Sequence, residues 1–326
     1  MAGEFALIDK YFARATPSAI LGPGDDCALL QPTPGKQLAI TTDMLIAGTH
    51  FLPDTDPQKL GWKALAVNIS DLAAMGATPR WALLAGSLPA VDEAWIAAFA
   101  AGFFACAAEY GVDVVGGDTT RGPLNLCITA LGECSPGQAL RRDGARAGDL
   151  IWVSGRPGLA SLGLAQLQGR IELPAPWVRL CIGALEKPRP RVALGQALVG
   201  LASAAIDVSD GLLADLGHIG ERSGLAAAVQ LVQLPQLRDL AGSGASYDAD
   251  LRRLALECQL TGGDDYELCF TTPPTQANAV SAIAARLELP LWCIGRMVEG
   301  TAGAVTVFDP DGQTVDFPRR GYDHFG

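Results

Sequence analysis

Histidine is nearly absent from this chain, with three residues in 326. Its eight cysteines contain no Cys-x-x-Cys pair, so neither a zinc cluster nor a thioredoxin-type redox pair can be read from their spacing. The sequence lacks G-x-x-x-x-G-K-[ST], which excludes a P-loop as the phosphate cradle. The HRD and DFG sets of protein kinases are missing as well. GPGDD at 22–26 does not have the spacing of a dinucleotide fingerprint. The longest uncharged runs, near 94–108 and 192–206, fall short of the roughly 20 residues that a membrane-spanning helix needs. Basic residues are few: Lys and Arg total 24 against 35 Asp and Glu, giving a net charge of −11. That balance argues against nucleic acid or an anionic membrane as the main partner. The opening MAGEFALIDKYFARA mixes charged with apolar residues like an amphipathic helix and has no signal-peptide core. A cytoplasmic chain without disulfides is therefore expected. Cys27, Cys106, Cys127, Cys181, Cys269 and Cys293 read as small buried hydrophobes.

What the chain does have is aspartate, in six short segments among glycines, serines and threonines. They are GPGDD at 22–26, TTD at 41–43, NISDL at 68–72, GGDTTRG at 116–122, DVSDG at 207–211 and GGDD at 262–265. Several lie in or beside strongly apolar stretches, as in KALAVNISDLAAMGA. A half-buried carboxylate is costly unless something neutralises it. Two of them about 4 Å apart repel by roughly 4 kcal/mol at an effective dielectric near 20. With so few cations to pair them, a hard divalent ion is the simplest remedy, and Mg²⁺ suits an all-oxygen ligand set. The pattern points to a metal-dependent enzyme acting on phosphates.

With 49% apolar residues and 326 positions, two ordinary domains can each fill a core. The pattern predicts an α/β protein of two units joined within 134–150, with domains of 1–140 and 141–326. In the first, strands are expected at 38–42, 81–88, 113–115 and 124–133, and helices at 57–75 and 92–110. In the second, strands are expected at 148–155, 204–208, 269–272, 292–295 and 305–308. Helices are expected there near 158–168, 191–202, 210–223 and 277–287.

Each motif carries two readings. GPGDD is turn chemistry, or a turn that presents Asp26 as a ligand. Thr41, Thr42 and Asp43 end a strand and serve either as helix caps or as oxygen ligands. Asp71 sits mid-helix three residues after Asn68, on the same face, and wants a bound ion or a buried Arg. GGDTTRG resembles a phosphate loop: Gly116 and Gly117 allow close backbone approach, Asp118 can hold a metal and Arg121 can contact phosphate. In DVSDG, Ser209 is a plausible helix cap, but two Asp at a strand end fit a ligand site better. One of Asp264 and Asp265 in GGDDYEL reads as structural.

Together GDDCAL, TTD with GTHF, ALAVNISDLAAMGA, GGDTTRGP, AIDVSDGLLADLGHI, GGDDYEL and the closing GYDHF resemble the thiamine-monophosphate kinase family, within the aminoimidazole-ribonucleotide synthetase superfamily. The resemblance runs nearly end to end. It implies two α/β units, with the N-terminal units pairing across a homodimer into a β-barrel and ATP bound near that interface. The C-terminal unit completes the nucleotide and substrate site. The implied reaction joins ATP and thiamine monophosphate to give ADP and thiamine diphosphate, with several Mg²⁺ ions. Carried over by position, Asp26, Thr41, Thr42, Asp43, Asp71, Asp118, Asp207 and Asp210 hold the ions, with Asp71, Asp118 and Asp210 at the catalytic centre. Gly117, Asp118, Arg142 and Ser209 touch ATP, while His50, Asp264 and Tyr322 contact the thiamine phosphate. Family members usually carry Glu at the position of Asp264. Another ATP-dependent synthetase of the superfamily, or a non-catalytic nucleotide or metal sensor, is the competing expectation.

Overall fold

The computed structural model describes residues 4–235, 249–317 and 321–322. Asp323, His324 and Phe325 of the closing motif lie outside them. The chain forms two compact units, one comprising residues up to Ala73 and Ala77–Gly137, the other Ala74–Gly76 and Gln138 onward.

The first unit begins with the short helix α1 (Glu4–Leu7), which runs into a π-helical turn at Ile8–Phe12. Its sheet contains β1 (Gln37–Ile46), β2 (Thr78–Leu88), β3 (Asp113–Arg121) and β4 (Asn125–Cys134), in the order β1-β4-β2-β3. The parallel pair β2–β3 needs a long crossover, and α3 (Glu93–Tyr110) supplies it. Asp92 caps α3 by accepting the Ala94 and Trp95 N–H groups, and Gly111 ends it in the left-handed region at φ 66°. Helix α2 (Pro57–Ala74) meets α3 backbone to backbone. A Cβ on Gly102 would lie 1.7 Å from the Gln58 carbonyl, and one on Gly61 2.0 Å from that of Phe99. Only glycine permits this approach.

Strand β1 alternates cleanly, with Ala39, Thr41, Asp43 and Leu45 more covered than their neighbours. Leu38, Ile40, Met44 and Ile46 point the other way, and Ile40 is 62% exposed.

The second unit is built on seven strands in the order β11-β10-β7-β9-β5-β8-β6. They are β5 (Leu150–Ser154), β6 (Ala204–Val208), β7 (Ala226–Gln230), β8 (Glu267–Thr272), β9 (Leu291–Val298), β10 (Val305–Phe308) and β11 (Thr314–Val315). One face packs Ile151, Val153, Ile206 and Val208 against Leu212, Leu216 and Ile219 of α7 (Leu212–Ser223). The other sets Leu150, Trp152 and Phe270 against α6 (Val192–Leu198) and α9 (Ala277–Leu287). A third cluster joins α4 (Leu159–Leu167), α5 (Ala175–Glu186) and α8 (Ala249–Thr261) around the buried Trp177. Burial on both faces explains why β5 and β6 are largely apolar runs.

Several local expectations change. GGDTTRG is not a loop: β3 continues through it to Arg121, hydrogen-bonded to β2. GPGDD and the CALL after it form a turn region carrying isolated bridges, such as Leu21 with Leu29. Cys27 is exposed, while Cys127 and Cys293 are half-buried. Helix α7 begins at Leu212 with Gly211 as its cap, so Ser209 is not the capping residue.

Candidate active site

In the first unit, two of the acidic motifs, TTD and NISDL, meet at a seam between strand and helix. Thr41 and Asp43 share one face of β1, two residues apart, while Asn68 and Asp71 share one face of α2, three apart. The Thr41 hydroxyl donates to the Asp71 carboxylate. The Asp43 N–H donates to Asn68 Oδ1 at 3.0 Å, and Asn68 Nδ2 donates to the Ala64 carbonyl at 3.2 Å. Asn68 is fully buried and so fixes where Asp43 sits. The donors gathered here are all oxygens.

The other predicted residues of this unit stand elsewhere. Thr42 faces the opposite side of β1, and its hydroxyl bonds that of Thr129 at 2.8 Å. Asp118 pairs with Ala85, Ala85 with Cys127, and Cys127 with Met44, which sets Asp118 in the outward row of Met44. Strands β1 and β3 are opposite edges of the sheet, three strand spacings apart, so Asp118 is about 14 Å along it from β1. Gly117 beside it has φ 155°, and a Cβ there would lie 1.8 Å from the Leu84 carbonyl. Asp26 is exposed in its turn, with its N–H donated to Asp25 Oδ1 at 2.9 Å. His50 Nδ1 accepts the Ile46 N–H at 3.0 Å, so the neutral ring carries its proton on Nε2.

In the second unit three motifs converge on one turn. The Ser209 carbonyl accepts the Asp264 N–H at 2.8 Å, the Val208 carbonyl accepts the Tyr266 N–H at 2.8 Å, and the Asp210 carbonyl accepts the Tyr322 N–H at 2.9 Å. DVSDG, GGDDYEL and the closing Gly-Tyr therefore sit side by side. Gly263 is required because a Cβ would lie 2.3 Å from the Ser209 carbonyl. Asp264 (φ 70°) and Tyr266 (φ 51°) both hold left-handed backbone, an uncommon conformation for such residues, and the Tyr266 hydroxyl donates to Asp264 Oδ1 at 3.0 Å. Asp207 is 4% exposed on β6, on the face away from Ile206 and Val208. Arg142 is exposed, and its carbonyl accepts the Ser223 hydroxyl at 2.9 Å.

Two carboxylates organise this site, the buried Asp215 and the half-buried Asp265, and sequence reasoning singled out only the second. Asp215 Oδ2 accepts the N–H groups of Ser209, Asp210 and Gly211 at 3.0, 3.1 and 3.1 Å. Burial pushes its carboxyl up to about 6, against the downward pull of those bonds. Asp265 is the structural member of its pair, accepting the Gly158 N–H at 2.6 Å and the Ala160 N–H at 3.4 Å at the start of α4. Burial drives it well above the usual carboxylate range. Next to it Glu267 is gripped by Arg191 through two bonds, at 2.7 and 2.5 Å, and by the Ser154 hydroxyl at 2.5 Å. The signal for Asp215 lay in the sequence: an acid four residues after Gly211, in the first turn of a helix.

Mg²⁺ takes one or two protein carboxylates and completes its octahedron with water and substrate phosphate. The Thr41–Asp43–Asp71 seam has donors of that kind. Among the described residues no group of three or more His, Cys, Asp or Glu forms a ready-made metal cage.

Residues 24–134 match the AIR synthase related protein N-terminal domain, and residues 146–308 match the corresponding C-terminal domain. Fold and site thus define a two-domain protein of the AIR-synthase-related class. A thiamine-monophosphate kinase from Salmonella typhimurium is 46% identical over 331 residues, covering 99% of this chain and 98% of its own. The crystal structure of thiamine-monophosphate kinase from Stenotrophomonas maltophilia K279a is 49% identical, with a TM-score of 0.84 over 96% of this chain and 98% of that one. The structure of AaThiL complexed with AMPPCP and TMP is 32% identical, with a TM-score of 0.75 over 99% and 97%. The chain belongs to the thiamine-monophosphate kinase family, and it is an enzyme, a kinase. Among the described residues no helix is long and apolar enough to cross a membrane.

Proposed function

We propose that this protein transfers the γ-phosphoryl group of ATP to thiamine monophosphate, giving ADP and thiamine diphosphate, the last step of thiamine diphosphate biosynthesis, in the cytoplasm. One observation carries the reading: a relative alike across 99% of this chain was solved with AMPPCP and TMP. The acceptor is already a phosphate oxygen, largely ionised at neutral pH, so no strong general base is demanded. That agrees with a chain of three histidines. The barrier is instead the approach of two anions within an acidic protein, and it falls through charge stabilisation and alignment.

In the first unit, the seam residues Thr41, Asp43 and Asp71 are proposed to hold one Mg²⁺, and Asp26, Thr42 and Asp118, which stand apart from that seam, to hold further ions, with Asp71 and Asp118 at the catalytic centre. In the second, Asp207 and Asp210 are proposed to hold Mg²⁺, with Asp210 also at the catalytic centre. Bound Mg²⁺ would neutralise charge on the transferring phosphates. Gly117, Asp118, Arg142 and Ser209 are assigned to ATP. His50, Asp264 and Tyr322 are assigned to thiamine monophosphate, and the hydrogen bond from the Tyr266 hydroxyl helps hold the Asp264 carboxylate in place. We take transfer to be direct and in line, without a phospho-enzyme.

A homodimer is part of the proposal, with the first units pairing into a barrel through β1. That edge strand exposes Leu38, Ile40, Met44 and Ile46 along one face, an apolar row that water disfavours.

ADP release, followed by a coupled assay with and without thiamine monophosphate, tests the function. ADP formed at the same rate in both cases overturns it. Labelled protein trapped after one turnover with γ-labelled ATP would overturn direct transfer.

A further inference from the structure

The turn at 208–211 has an unusual backbone arrangement. The N–H groups of Ser209, Asp210 and Gly211 are consecutive and converge on one point, the concave geometry that normally attracts an external anion. Here the point is filled from inside the chain by a single oxygen, Oδ2 of Asp215, which is 3% exposed. The carbonyls of the turn leave in other directions, Ser209 to the Asp264 N–H and Asp210 to the Tyr322 N–H. Every backbone polar group of Ser209 and Asp210 is therefore committed. Their side chains remain half-buried at the rim, free to meet a ligand.

We propose that Asp215 is a positioning residue for phosphoryl transfer: its carboxylate locks the 209–211 turn so that the Ser209 hydroxyl and Asp210 carboxylate are held ready for the nucleotide and its metal. The inference rests on the proposed function for what Ser209 and Asp210 touch. The locking itself rests on the three hydrogen bonds. An external phosphate is kept out of the nest, because a carboxylate already occupies it.

Two variants and two readouts test this. Asp215→Ala removes the acceptor, and kcat per folded enzyme is expected to fall about 100-fold, the usual cost of a small misplacement of reacting groups. Asp215→Asn keeps an oxygen of similar placement but loses the charge that strengthens such bonds, so kcat is expected to fall about tenfold. In both, KM for thiamine monophosphate changes less than kcat. Amide hydrogen exchange at 209–211 is expected to rise in both variants while the rest of α7 stays protected. If Asp215→Ala does not fold, Asp215→Asn decides alone. A kcat within twofold of wild type in Asp215→Asn, or unchanged exchange at the three amides, overturns the inference. Wild-type protein that makes no thiamine diphosphate would overturn the proposed function instead, and exchange at 209–211 then judges Asp215 by itself.

Discussion

Thr41 on β1 donates its hydroxyl hydrogen to the carboxylate of Asp71 on α2, thirty residues further along the chain. The bond ties the middle of β1, where the ligand-type oxygens stand rather than at a strand end, to a helix with little other polar surface. Asp71→Asn preserves the shape and the acceptor but removes the charge. The expected result is a loss of kcat on the order of 100-fold with only a small change in melting temperature, the size seen when one stabilising charge is deleted from an active site. Steady-state kinetics with a thermal melt on the same sample checks it. An unaltered kcat would remove Asp71 from the site.

Arg191 and Glu267 form a largely buried, two-point ion pair. Glu267→Gln leaves the guanidinium without its counter-charge and is expected to cost about 3 kcal/mol in urea unfolding. Replacing both partners by Met and Leu is expected to recover most of that loss, because the desolvation penalty disappears with the charges. A single variant as stable as wild type would show the pair to be incidental.

Gly102→Ala opposes two effects. Alanine in an exposed helix interior gains about 1 kcal/mol over glycine. Here its Cβ would lie 1.7 Å from the Gln58 carbonyl, so α2 and α3 must separate. Overpacking of that kind costs about 3 kcal/mol, so net destabilisation is expected in denaturant melts. A stabilised variant would contradict the close helix contact.

Burial raises the thiols of Cys181 and Cys258 from an ordinary 9.0 to about 12, and raises Cys269 as well. The folded chain therefore keeps them protonated at pH 8, where the thiolate is the reactive form. Because the folded values are raised, the stability linked to these groups is fully present below pH 9 and fades as pH climbs toward 12. Native alkylation followed by peptide mapping is expected to label the exposed Cys27 and to spare these three. Labelling of Cys181 at the rate of Cys27 would contradict the packing around Trp177.

The sequence made the periodic elements legible. The 277–287 helix and the 305–308 strand have the predicted bounds, since each is a clean pattern between turn residues. Among the elements that were missed, three have clear physical reasons. Ala226–Gln230 is alanine-rich and reads as helical, yet pairing with β9 and β10 makes it a strand. Helix α5 lies among Pro174, Pro176, Pro188 and Pro190, which suggests loop until Pro176 is recognised as a first-turn proline. Helix α8, rich in charge, shows a covered side only once α4 and α5 are in place. At the site, motif spacing singled out DVSDG, GGDDYEL and the closing Gly-Tyr, which the fold sets side by side. It passed over Asp215, whose first-turn position was visible but whose partners are backbone amides, and it did not tell that Gly117 and Asp118 continue a strand.

The central claim is tested most directly by incubating purified protein with ATP, Mg²⁺ and thiamine monophosphate and following thiamine diphosphate by chromatography. The account predicts product that disappears when EDTA is added and falls at least about 100-fold in Asp118→Asn. Protein that binds ATP yet forms no thiamine diphosphate under these conditions would contradict it.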